Sequence, residues 1–163
     1  MNQGLNHFDS NGKAIIVDVS DKDESKRIAR CQGKIYMNEE AFKAIQEGTV
    51  SKGDVLGVAR VAGIMGVKRC PDLIPMCHPL MVHKVSVDFE LNAEEKSVLA
   101  ICEVGTTGKT GVEMEALCGV NIALMTIYDM CKAIDRGMVI GEVCLHEKSG
   151  GKSGHYAREM ERK

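Results

Sequence analysis

Tryptophan is absent from these 163 residues, and with three Tyr and three Phe the aromatic share is only 4%. Proteins that hold single-stranded nucleic acid stack its bases on aromatic side chains, and this chain has no such platform. Basic excess is missing too: 21 Lys and Arg stand against 23 Asp and Glu, a net charge of −2. No global positive field draws nucleic acid or an anionic membrane, so any anion site must be local. No apolar run approaches the roughly 20 residues that span a bilayer, and Met1 to Asp9 lacks the apolar block of a secretory signal. A cytoplasmic protein is expected. The seven cysteines are an odd number without a C-x-x-C pair. Cys102, Cys118, Cys131 and Cys144 sit in apolar patterns where a thiol is a small hydrophobe, the usage of a reducing compartment.

What remains is an aliphatic, sulfur-rich core built with 10 Met. The length suits one domain over residues 1–163. Polar, unperiodic residues 1–13 and the tail 155–163 are expected to be flexible ends, and 147–154 (EKSGGKSG) a glycine-rich loop.

Between them the elements are legible in outline. Gly33 to Met37 reads as a strand, with Asp21 to Cys31 ahead of it as a short helix or charged arm. Asn38 caps a helix through Gln46 that Gly48 closes. Ser51 to Cys70 has helical spacing, although Gly57, Gly63 and Gly66 each cost about 1 kcal/mol in a helix interior, which implies that another element approaches closely. The only three prolines, Pro71, Pro75 and Pro79, then forbid a regular helix. Met81 onward alternates, with Val85, Val87, Phe89 and Leu91 on one face; Asn92 to Lys96 turns the chain into a partner strand, Ser97 to Val104. A long helix follows, and Met138 to His146 alternates again. The order β, α, β, β, α, β is that of a ferredoxin-like α+β sandwich, an antiparallel sheet with its helices on one face.

The long helix organises the rest. Thr110 and Glu113 have capping-box spacing. Leu117, Val120, Leu124, Ile127, Cys131 and Ile134 form one apolar stripe. Ile122 and Met125 lie opposite, so burial on both sides is expected, with a second subunit as the readiest cover.

Several constellations can carry chemistry. Gly108-Lys109-Thr110 and Gly151-Lys152-Ser153 invite a phosphate-loop reading, which fails because Glu103 and His146 stand where the motif needs glycine. An anion cradle at a helix start or plain solvated loops remain. Met76-Cys77-His78, held extended between prolines, reads as a strip for a flat ligand to which His78 donates, or as a structural turn. A zinc site through Cys77, His78 and His83 lacks a second ligand pair, and a Cys77 nucleophile lacks an orienting acid. Asp129 and Lys132 share a helix face. Held among apolar groups, the lysine's pKa would fall and the acid's rise, which suits proton transfer; in water the pair is an ordinary helix salt bridge. Glu113 and Glu115 complement the helix dipole. Arg27 and Arg30, in the charged arm, are expected to reach a neighbouring subunit.

Taken together, DLIPMCHPL (72–80), GKTGVEMEAL (108–117), TIYDMCKA (126–133) and KSGGKSG (148–154) resemble the molybdenum cofactor biosynthesis protein C family, the cyclic pyranopterin monophosphate synthases. The likeness runs from about Leu5 to Gly154. It implies a lyase that rearranges the 3′,8-cyclised dihydroguanosine triphosphate made from GTP into cyclic pyranopterin monophosphate, losing pyrophosphate. It further implies a homohexamer, a trimer of dimers, with sites at a dimer interface. By matching motifs it makes Asp129 the acid/base, Lys132 its partner and Lys52 a second catalytic lysine. Met76, Cys77, His78, Met114, Glu115 and Lys148 become substrate contacts. No essential cofactor or metal is implied beyond Mg²⁺ accompanying the triphosphate. The competing class is a non-catalytic regulatory module binding a nucleotide or pterin.

Overall fold

The computed structural model describes residues 7–9 and 11–159; the expectations for the two chain ends fall in part outside them. The described residues form five strands and four helices in the order β1 (Ser25–Tyr36), α1 (Glu39–Glu47), α2 (Val55–Lys68), α3 (Cys70–Leu73), β2 (Lys84–Asn92), β3 (Ser97–Gly108), α4 (Glu113–Cys131), β4 (Val139–Ser149) and β5 (Tyr156–Ala157). Every pairing is antiparallel and the spatial order is β2-β3-β1-β4-β5. With α2 and α4 packed against the sheet and each other, this is the ferredoxin-like arrangement.

Local signals set most boundaries. Asn38 Oδ1 accepts from the Ala41 N–H at 2.8 Å, and Gly48, at φ 67, donates back to the last turn of α1. Asp54, in the same way, starts α2 by accepting from the Gly57 N–H at 2.8 Å, three residues later than the periodicity suggested. The β2–β3 turn is held by Asn92 Oδ1, which accepts from Glu94 and Glu95 N–H groups at 3.0 Å. Tyr156 and Ala157 pair with Lys148 and Glu147, so this part of the tail is tied to the sheet edge.

Three expectations are corrected. The charged segment expected as helix or arm becomes the first half of β1, a 12-residue strand that pairs with β3 over its whole length. Its alternation explains this: Ala29, Cys31, Gly33 and Ile35 are buried while Arg30, Gln32 and Lys34 face away. The Thr110–Glu113 capping box does not form. Helix α4 begins at Glu113 itself, Val112 is its cap, and no side chain caps it; Thr110 stands two residues ahead of the cap position. The stretch with three prolines still forms one short helical turn, α3, because Pro71 stands at its start, where a missing N–H costs nothing.

The core lies between the sheet and α4. Val120, Leu124, Ile127 and Cys131 are fully buried along the predicted stripe, and each such aliphatic side chain contributes about 1.5–3 kcal/mol by leaving water. The second face of α4 is covered mainly within the chain. A methyl at Gly63 would lie 3.0 Å from the Gly119 carbonyl, and one at Gly66 only 2.8 Å from Ile122. Glycine therefore lets α2 close onto α4, and Ile122 packs there; Met125 stays exposed. By length and composition α4 is apolar enough to cross a bilayer, yet 56% of that window is buried in this fold, which accounts for its hydropathy.

Candidate functional site

Candidate site residues lie at both ends of helix α4, in two different settings. At its C-terminal end Lys132 Nζ lies 2.6 Å from Asp129 Oδ1. Lys52, from the α1–α2 loop, reaches Asp129 Oδ2 at 3.2 Å and donates to the Asp129 carbonyl at 2.8 Å. Gly53, at φ 95, makes the turn that aims Lys52 at the helix end. The apolar setting expected for this pair is not present in the single chain: the side chains of Lys52, Asp129 and Lys132 are 44%, 59% and 52% exposed. Contrary to a desolvated acid, the Asp129 carboxyl is held below the usual carboxylate range, first by the Lys132 hydrogen bond and then by Lys52. The result is a carboxylate with two ammonium groups on it, open to solvent.

At the N-terminal end, Met76, Cys77 and His78 from the proline-stiffened segment face Met114 and Glu115 from the first turn of α4 across a cavity of about 300 Å³. All five were singled out in the sequence, and the fold brings them together. His78 Nε2 lies 2.7 Å from the Val17 carbonyl, so the ring donates there and keeps Nδ1 unprotonated in its neutral form. Glu115 is 3% exposed, and burial raises its pKa; Cys70, Cys77 and Cys118 lie around it. Burial and the Glu115 charge push the Cys77 thiol up, which makes it a poor nucleophile. His83 points elsewhere, its Nδ1 accepting from the Thr107 N–H at 3.3 Å. Among the described residues no three His, Cys, Asp or Glu side chains gather as a metal-holding group.

Lys148 belongs to a second, larger cavity of about 570 Å³ beside the first. It lies 3.2 Å from Glu113 Oε1 and donates to Ser153 Oγ at 2.7 Å. Lys22, Thr110, Gly111 and Glu113 line both cavities, which therefore form one trough. Glu113, read in the sequence as a capping residue, is in fact the acid between them. One of the two arginines, Arg27, folds back on its own chain. Arg27 Nε donates to the Gly108 carbonyl at 2.9 Å and its guanidinium to that of Lys109 at 3.2 Å, and Arg30 stands in the sheet between Glu103 and Glu147. Lys22, Arg27, Lys109 and Lys152 were missed as a group, although the two glycine-lysine-hydroxyl units carried the signal.

The two ends are far apart. Asp129 follows Glu115 by fourteen positions on one straight helix, about 21 Å at 1.5 Å per residue.

Comparison with known proteins bears on what such an arrangement serves. The sequence profile of the MoaC family matches residues 16–151. The cyclic pyranopterin monophosphate synthase of Clostridium botulinum (strain Alaska E43 / Type E3) is 54% identical over 159 residues, which cover 98% of this chain and 100% of that protein. The synthase of the same name from Thermoanaerobacter sp. (strain X514) is 55% identical over 156 residues, 96% of this chain and 99% of that protein. With a profile match over most of the sequence and relatives more than half identical from end to end, this chain belongs to the MoaC family.

Proposed function

We propose that this chain is a cyclic pyranopterin monophosphate synthase, a lyase of molybdenum cofactor biosynthesis. It takes the 3′,8-cyclised dihydroguanosine triphosphate, forms the cyclic monophosphate and expels pyrophosphate. The observation that carries the reading is the cavity in which Met76, Cys77, His78, Met114 and Glu115, contributed by segments some 40 residues apart, face one another, in a chain end-to-end similar to proteins named for that activity. In this reading the cavity holds the fused-ring end of the substrate. Glu115, whose pKa burial raises, and His78, whose Nε2 lies 2.7 Å from the Val17 carbonyl, supply the polar groups that meet the ring. Asp129 is the acid/base, its charge balanced by Lys132 and Lys52, and Lys148 meets phosphate oxygens.

A single substrate cannot touch both ends of α4 in one chain across about 21 Å. The active enzyme is then an oligomer in which one subunit's Asp129 cluster completes its neighbour's cavity, and a trimer of dimers is the assembly we propose. Exposed Val58, Val61 and Met65 on α2 and Met125 on α4 supply apolar surface for such an interface. Burial there would also remove water from the Asp129 cluster. The chemistry draws on no redox cofactor, with Mg²⁺ only as companion to the triphosphate, and the enzyme works in the cytoplasm.

The test is pyrophosphate release from the cyclised triphosphate by purified protein, with Lys132→Ala alongside. Release by the parent and loss in the variant are expected. Tight binding of the triphosphate by the parent without release would overturn the reading.

A further inference from the structure

The chain ahead of β1 holds two side chains of the trough by its backbone. His78 Nε2 lies 2.7 Å from the Val17 carbonyl oxygen, and Lys109 Nζ donates to the Ser20 carbonyl. Val17 to Ser20 belong to no helix or strand that could fix where these two carbonyls stand. What fixes them is local. Asp18 Oδ1 accepts from the Ser20 N–H at 2.8 Å, a side-chain turn that sets the backbone between the two carbonyls. The Ser20 hydroxyl bonds the same carboxyl, and with the N–H it holds the Asp18 pKa below the usual carboxylate range. Lys22 N–H closes a second turn on the Val19 carbonyl at 3.1 Å. Val17 and Val19 are half-buried and line the ring cavity beside His78, while Asp18 is exposed.

A carbonyl oxygen only accepts, so the bond to Val17 keeps the proton on Nε2 of a neutral His78 and the lone pair on Nδ1. The donor role that the sequence suggested for His78 toward a ligand is thereby taken by the backbone. We infer that Asp18 is a positioning residue of this site: the turn it closes holds the Val17 carbonyl on His78 Nε2, and so makes His78 a hydrogen-bond acceptor, through Nδ1, for the ring bound beside it. This rests on the proposed function, in which that cavity takes a reduced purine-derived ring. Such a ring carries N–H groups, which an acceptor nitrogen complements. Asp18 acts through His78 and not on the substrate. Its charge also lies near Lys109 and His78, a smaller effect than the bonds from Ser20, so turn and charge must be separated.

Nitrogen-15 NMR of the full chain with labelled histidine, at about pH 8 where free histidine is neutral, reads the tautomer without any turnover. The His78 signals, assigned by their loss in His78→Gln, should show the proton on Nε2 in the parent. Asp18→Ala should give a mixture of both tautomers and lower kcat/KM about tenfold, the effect of losing one hydrogen bond in the site. Asp18→Asn keeps an oxygen for the Ser20 N–H, and should keep the parental tautomer and most of the activity. Three results would overturn the assignment. They are a parent with its proton on Nδ1, Asp18→Ala with the parental tautomer or parental kcat/KM, and Asp18→Asn behaving like Asp18→Ala, which makes the charge responsible and not the turn. Failure of the lyase reading is seen separately, as tautomers that follow this pattern in a parent that releases no pyrophosphate from the cyclised triphosphate.

Discussion

If the two ends of α4 serve one substrate from two subunits, two dead variants should repair each other. Glu115→Gln removes the buried acid from the ring cavity and Asp129→Asn removes the charged centre at the opposite end; both substitutions keep shape and size, so folding is preserved. Each homogeneous variant should lack activity, because every site in it carries the lesion. In a two-fold symmetric pair made of one subunit of each kind, one site combines both lesions and the other combines neither. With random mixing half the pairs are mixed, and half of their sites are intact, so about one quarter of parental activity should return. The assay is pyrophosphate release after the differently tagged variants are co-expressed, with mixed oligomers isolated through both tags. The prediction depends on the helix geometry alone: about 21 Å of rigid rise separates the groups, and no rotamer change spans it. Verified mixed oligomers that stay inactive would refute it, since a site complete within one subunit gives no rescue at any ratio.

Three further outcomes are expected. Burial raises the Glu115 pKa, so the folded state binds that proton more tightly than the unfolded one; the stability this gives is complete at low pH and is lost as pH climbs through the raised value. Urea unfolding of Glu115→Gln should therefore show a larger gain over the parent at pH 8 than at pH 5, and an equal difference at both would contradict the burial argument. Asp129 is shifted the other way, chiefly by Lys132, so its contribution is present above the ordinary carboxylate range and fades as pH falls through the depressed value; carbon NMR of the carboxyl should show its midpoint rising in Lys132→Ala. At Gly119 a methyl would lie 2.5 Å from Cys102 Sγ and 2.9 Å from Val67 Cγ2, both buried. Gly119→Ala should cost about 1–3 kcal/mol through overpacking, visible as a fall of roughly 2–4 °C in Tm per kcal/mol, and an unchanged Tm would show that α4 can shift on the sheet.

Much of the fold could be read because its signals are local. Asn38 and Gly48 bracket α1 with groups that act within three residues, and the alternation of Val85, Val87 and Phe89 needs only the pleat. What failed was decided by distant partners. The charges at 26, 27 and 30 suggested an arm, yet Lys26 and Arg30 occupy outward positions of β1 and Arg27 bonds the end of β3, and the strand's existence depends on β3 some 75 residues later. Thr110 has the right spacing to Glu113 for a cap, but Lys148, brought in by β4, takes the carboxylate. Cover for Ile122 was sought in another subunit because the glycines of α2 gave no direction, and the structure shows them facing α4.

The site was legible to the extent that its chemistry is carried by residue type. Met76-Cys77-His78 announces itself by stiffness, Met114 and Glu115 enter as substrate contacts through the family resemblance, and all five line one cavity. The electrostatics were not legible, since burial is a property of the fold: Glu115 is desolvated, while Asp129, expected to be, lies in the open with its two lysines. One inference was available from the sequence alone. Glu115 and Asp129 belong to one uninterrupted helix, and fourteen helical residues are about 21 Å whatever packs around them. Residues that must act together and cannot meet within a chain have to meet between chains. If both groups serve one substrate, as the proposed function has it, the need for a partner subunit follows from the rise of α4 before any exposed apolar surface is considered.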